Sequence, residues 1–85
     1  MIDIQRSVQA LVQAETGTDT NVAPNTVLDD ISGWDSVSLA GVLMALEEEY
    51  SIRIGRHQVV NLHTVGDLER LVRDLSLLAD GRGKT

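Results

Sequence analysis

The segment Ser36–Tyr50, SVSLAGVLMALEEEY, contains no proline and repeats its apolar residues at helical spacing. At about 100° per residue, Leu39, Val42, Leu43, Leu46 and Tyr50 fall within roughly a third of a turn. A helix with such a face has to be covered, and the chain has little to cover it with except other helices. Cys and Phe are absent, and Trp34 and Tyr50 are the only aromatics. Without disulfides or thiolate metal sites, 85 residues must be held by a small aliphatic core. Packing a few helices is the economical way to build one.

The flanking sequence supplies those helices. Residues 3–15 carry Ile4, Val8, Leu11 and Val12 as an amphipathic stripe, with Asp3 placed to cap it and Gly17 to end it. A long crossover follows over residues 16–35, and Val22, Val27, Leu28 and Ile31 are spaced to pin it to the helices. Residues 56–62, RHQVVNL, predict one or two turns. The string TVGD from Thr64 has the form of a capping box with Asp in place of Glu, and opens a last helix. Val65, Leu68, Leu71, Val72, Leu75 and Leu78 form its apolar face. The expectation is an all-α fold, a small four-helix bundle of three longer helices and one short one, with a long first crossover loop. Residues 1–85 read as one domain, with a flexible tail from about residue 80.

Charge narrows the function. Thirteen acidic against seven basic residues give a net charge of −6, which disfavours nucleic acid as a partner. No Lys or Arg lies between Arg6 and Arg53, an interval holding Glu15, Asp19, Asp29, Asp30, Asp35, Glu47, Glu48 and Glu49. A one-sign region of this kind either keeps the surface solvated or steers a basic partner. No stretch has the length of a membrane span and no signal peptide precedes the first helix, so a cytoplasmic protein is expected.

The second helix also has a second face. Val37, Ala40 and Met44 lie opposite the core stripe, with Gly41 between them and Glu47 and Glu48 at the lower edge. Either this helix is central and buried nearly all round, or the strip docks a partner inside an acidic rim. Acids at a helix C-terminus oppose its macrodipole, and a mid-helix Gly costs roughly 1 kcal/mol relative to Ala. Local helix stability explains neither, which favours the docking strip.

Ser36, directly after Asp35, is the candidate functional hydroxyl. A hydrolase would require a base and an oxyanion hole, and His57 and His63, the only histidines, do not share a helix face. Two scattered His without Cys make no metal site. A hydroxyl in the first turn of a helix does suit an attached phosphate, whether a simple phosphoryl group or a larger phosphodiester.

The string DSVSLAGVLMALEEEYSIRI, residues 35–54, resembles the acyl carrier protein family, whose motif is Asp-Ser-Leu followed by an apolar helix ending in acids. LDDISGWDS resembles the family's approach to its modified serine, and HTVGDLERLV the start of its last helix. The resemblance implies a 4′-phosphopantetheine arm on Ser36, flanked by Asp35 and transferred from coenzyme A by a separate magnesium-dependent phosphopantetheinyl transferase. It implies a non-catalytic carrier of acyl or aminoacyl thioesters, and it explains the missing Cys, since the reactive sulfur arrives on a cofactor. Val37, Met44, Glu47 and Glu48 match positions that meet basic surfaces on loading, condensing or tailoring enzymes. Leu46 and Leu62 match positions able to line a groove for cargo. Val37 replaces the usual Leu, Gly41 stands where fatty-acid carriers are often acidic, and Arg56 and His57 bring positive or titratable charge to a segment usually acidic. These departures point away from general fatty acid biosynthesis toward a polyketide or nonribosomal-peptide type of pathway. Starting at Met1 without flanking domains, the chain is expected to be a free-standing, monomeric carrier. The competing expectation is an unmodified helical adaptor that docks through its second helix.

Overall fold

Side-chain caps start the long helices close to where the apolar spacing puts them. The computed structural model describes residues 3–17 and 21–83, with side chains as far as Leu77. Helix α1 (Ile4–Thr16) begins at Asp3, whose Oδ1 accepts from the Gln5 N–H at 3.0 Å. It ends at Gly17, whose φ of 71° turns the chain out of the helix. Helix α2 (Ser36–Tyr50) is capped by Asp35 and ends at Ser51, a non-glycine residue held at φ 54°. Helix α3 (Arg56–Val59) is one turn, within the one or two that the sequence predicts, and the chain then tightens into a turn in which the Leu62 N–H donates to the Val59 carbonyl at 3.0 Å.

Helix α4 (Val65–Gly83) opens on the reciprocal cap predicted from TVGD. The Asp67 N–H donates to Thr64 Oγ1 at 3.1 Å, and Asp67 Oδ2 accepts from the Thr64 N–H at 3.0 Å. The same oxygen takes the His63 N–H at 2.9 Å. The helical backbone continues to Gly83. Lys84, Thr85 and the side chain of Leu78 lie outside the described residues, as does Asp19.

Helix α1 packs against both α2 and α4, which touch each other over a shorter stretch. Val8 and Val12 of α1, Val42 and Leu46 of α2, and Val65, Leu68 and Val72 of α4 are fully enclosed. The core is therefore aliphatic, and Trp34 and Tyr50 pack only part-buried against it. Val22, Leu28 and Ile31 bury the crossover as expected. Val27 does not, being 40% exposed. Its segment is fastened through the backbone instead. Val27 forms an isolated antiparallel bridge with Thr64, the Leu28 N–H donates to the His63 carbonyl at 2.8 Å, and the Val65 N–H to the Thr26 carbonyl at 3.0 Å. The crossover thus delivers Asp35 and Ser36 to one end of the bundle on a tethered chain. Among the described residues no helix is long and apolar enough to cross a membrane. Nor do they contain a group of three His, Asp or Glu placed to hold a metal ion.

Candidate functional site

Ser36 is the first residue of α2 and is exposed. Its position is set by the residues on either side. Asp35 Oδ1 accepts from the Ser38 N–H at 2.8 Å, filling one of the bonds that a helix start leaves open. That N–H holds the exposed Asp35 carboxyl below its ordinary value. No described residue hydrogen-bonds the Ser36 hydroxyl. It projects at the positive end of the α2 dipole with no competing role in the fold.

Two residues that the sequence does not advertise orient this corner. Ser38 is buried, and its Oγ donates to the Gly33 carbonyl at 2.9 Å, with the Glu15 carbonyl also within 3.5 Å. This ties the first turn of α2 to the approach loop and to the end of α1. Gly33 has φ 88°, and a Cβ there would lie 2.7 Å from the Thr16 carbonyl oxygen, so both conformation and space require glycine. The available signal for Ser38 was a small polar residue on the core side of an otherwise apolar helix face.

The predicted strip divides when placed in three dimensions. Val37 and Met44 are 76% and 67% exposed, and Ala40 and Glu48 are exposed beside them, so α2 is not buried all round. Gly41 turns instead toward α1, where a Cβ would collide with the Glu15 carboxylate. Glu47 is half-buried, and its Oε2 accepts from the Ile54 N–H at 2.8 Å. That bond accounts for an acid at the wrong end of the helix dipole, because it secures the chain leading from α2 to α3. The two groove candidates do not share a surface. Leu46 is fully enclosed in the core, at the centre of the buried face of α2. Leu62 lines an open concavity of about 240 Å³ between α3 and α4, together with Gln58, Asn61, Arg70 and Leu71. His57 and His63 are both exposed.

A family model described as a phosphopantetheine attachment site matches residues 6–72, which include Asp35, Ser36 and every residue of the strip. The acyl carrier protein of Kineococcus radiotolerans is 37% identical over 67 residues, 76% of this chain and 82% of that protein. The chain belongs to the acyl carrier protein family. Nodulation protein F of Rhizobium leguminosarum bv. viciae is 36% identical over 81 residues, covering 87% of this chain and 88% of its own. The fold matches the solution structure of the holo acyl carrier protein of Geobacter metallireducens with a TM-score of 0.78, over 99% of this chain and 95% of that one, at 24% identity.

As a member of that family the chain is a carrier with a phosphopantetheine attachment domain, not an enzyme. The family works with phosphopantetheinyl transferases and with synthetic enzymes. The residues present fit the group. An exposed hydroxyl free of internal hydrogen bonds, at the N-terminus of a 15-residue helix, suits a phosphodiester both sterically and electrostatically.

Proposed function

We propose that Ser36 bears the 4′-phosphopantetheine arm and that this carrier presents acyl or aminoacyl cargo to successive enzymes of a specialised pathway of the polyketide or nonribosomal-peptide type. The observation that carries the assignment is the Ser36 hydroxyl, exposed and free at the head of α2 while Asp35 before it and Ser38 two residues on are engaged in holding the turn. Once attached, the arm supplies a terminal thiol that a chain without cysteine lacks. The chain's own residues do the rest. Asp35 and Ser38 hold the first turn of α2, from which the hydroxyl extends. Val37, Ala40 and Met44 offer apolar contact directly below it, and Glu48 and Asp35 give that contact a negative rim. Rim charges of this kind mainly raise association rates and weaken with salt, which suits a carrier that must dock and leave repeatedly.

Similarity to a protein named for nodulation supports a dedicated pathway, as does the positive charge on α3. The test is intact-mass measurement after incubation with coenzyme A and a broad-specificity phosphopantetheinyl transferase. The wild-type chain is expected to gain one arm and Ser36→Ala none. An unmodified wild-type chain would favour the unmodified adaptor and end the carrier assignment.

A further inference from the structure

Ser38 and Glu69 are the buried polar side chains among the described residues, and the fold treats them differently. Ser38 donates to the Gly33 carbonyl at 2.9 Å. The Oε2 of Glu69 has no hydrogen-bond partner among the described residues. On α4 it is flanked by Leu68 and Val72, both fully enclosed. The groups that act on it from α1 are the neutral amide of Gln9 and the carboxylate of Asp3, and on α4 itself Arg73 stands one turn on. The last turn of α2 brings Tyr50, on which Asp3 and Glu49 also act. Asp67, Arg70 and Asp74 line the concavity toward α3, whose Arg56 and His57 are exposed. An acid is thus enclosed in the seam between α1 and α4 with one oxygen unserved. The two ends of α1 differ as well. Its last residues are fastened to α2, through Ser38 and the Glu15 carbonyl, and to the approach loop at Gly33. Its first half enters the core at Val8 and has Glu69 against Gln9.

We propose that Glu69 makes the seam between α1 and α4 a proton-sensitive latch, closed when its carboxyl is protonated and released along the first half of α1 when it is ionised. Enclosing an ionised carboxylate without a partner is costly, and the cost is relieved either by a proton or by water entering the seam. Ionisation therefore favours the open seam. As pH falls toward the ordinary carboxylate value, the acid stays inside as the neutral form and the seam closes. The corner that carries Ser36 is held by other bonds and keeps its shape throughout. The latch belongs to the bundle and does not depend on the carrier reading.

The test is residue-resolved amide exchange of the full chain at pH 7 and pH 5, corrected for the pH dependence of chemical exchange. In the wild-type chain, residues 5–12 are expected to gain about 5-fold more protection at pH 5 than residues 36–42 do. Glu69→Gln, which keeps the shape and loses the charge, removes this difference by protecting residues 5–12 already at pH 7. It retains His57 and His63, so any effect of theirs remains in both chains. Asp3→Asn keeps an acceptor for the Gln5 N–H and is expected to shrink the difference by removing the negative neighbour. Equal gains in both helices of the wild-type chain, or a Glu69→Gln chain that behaves like wild type, overturns the inference.

Discussion

The Glu47 carboxylate sits in a run of three acids that reads as a single negative rim, yet its hydrogen bond to the Ile54 N–H gives it work that Glu48 does not share. Charge and hydrogen bonding can be separated there. Glu47→Gln keeps an acceptor for Ile54 and loses the charge, whereas Glu47→Ala loses both. The Ala variant is expected to lower stability by about 1–2 kcal/mol in urea denaturation, through an unsatisfied N–H and a loosened corner. The Gln variant should stay within about 0.5 kcal/mol of wild type. Glu48→Gln, at an exposed position, should leave stability unchanged and slow cargo loading at low ionic strength. Equal stability of the two Glu47 variants would mean that the bond to Ile54 does not hold the corner.

At the scale of elements, the start of α4 does more than begin a helix. Asp67 accepts from both His63 and Thr64. The neighbouring backbone groups receive the crossover through Leu28 and Val65. The N–H of His63, followed by that of Thr64, holds the Asp67 carboxyl below its ordinary value. Asp67→Ala therefore removes a cap and loosens the anchor of the crossover that delivers Ser36. An expected loss of about 1–2 kcal/mol in urea denaturation, typical of a lost cap, is the measure. Faster amide exchange should appear in residues 26–28 and 63–66 before it appears in α1. Exchange that quickens uniformly would show that the cap stabilises α4 without holding the crossover.

For the whole molecule, one group that bears on pH dependence lies away from the site. Glu69 is only 6% exposed, and its Oε2 has no hydrogen-bond partner among the described residues. Burial pushes its carboxyl above the ordinary value, Gln9 of α1 and Arg73 of α4 pull it back, and Asp3 adds to the rise. An acid raised by folding is more readily ionised in the unfolded chain. Glu69 therefore opposes folding at neutral pH, and its cost fades as pH falls through its folded value. Asp35 and Asp67 act in the other sense. Their contribution is present above the ordinary carboxylate range and is lost as pH falls through their lowered values. Glu69→Gln is expected to raise stability at pH 7 by about 1 kcal/mol, with the gain shrinking toward acidic pH. Thermal unfolding of both chains across that range checks it, and a gain that persists unchanged in acid would point to packing instead of ionisation.

Local physics alone determined that residues 4–16, 36–50 and 65 onward are helices, because periodicity, Asp3, Asp35 and the Thr64–Asp67 cap act within a few residues of one another. The same local reading placed Ser36 at the head of the second helix and marked Val37 and Met44 as a second apolar face. Tertiary structure decided what depends on partners distant in the chain. Ser38 finds carbonyls at Gly33 and Glu15, Glu47 finds Ile54, and the backbone at Leu28 finds His63. The family resemblance makes both Leu46 and Leu62 groove candidates, yet one is sealed in the core and the other lines the seam between α3 and α4. A side chain's spacing reveals the face it occupies on its own helix. Whether that face meets solvent, another helix or an orphaned N–H depends on how the helices pack, and no residue encodes that by itself.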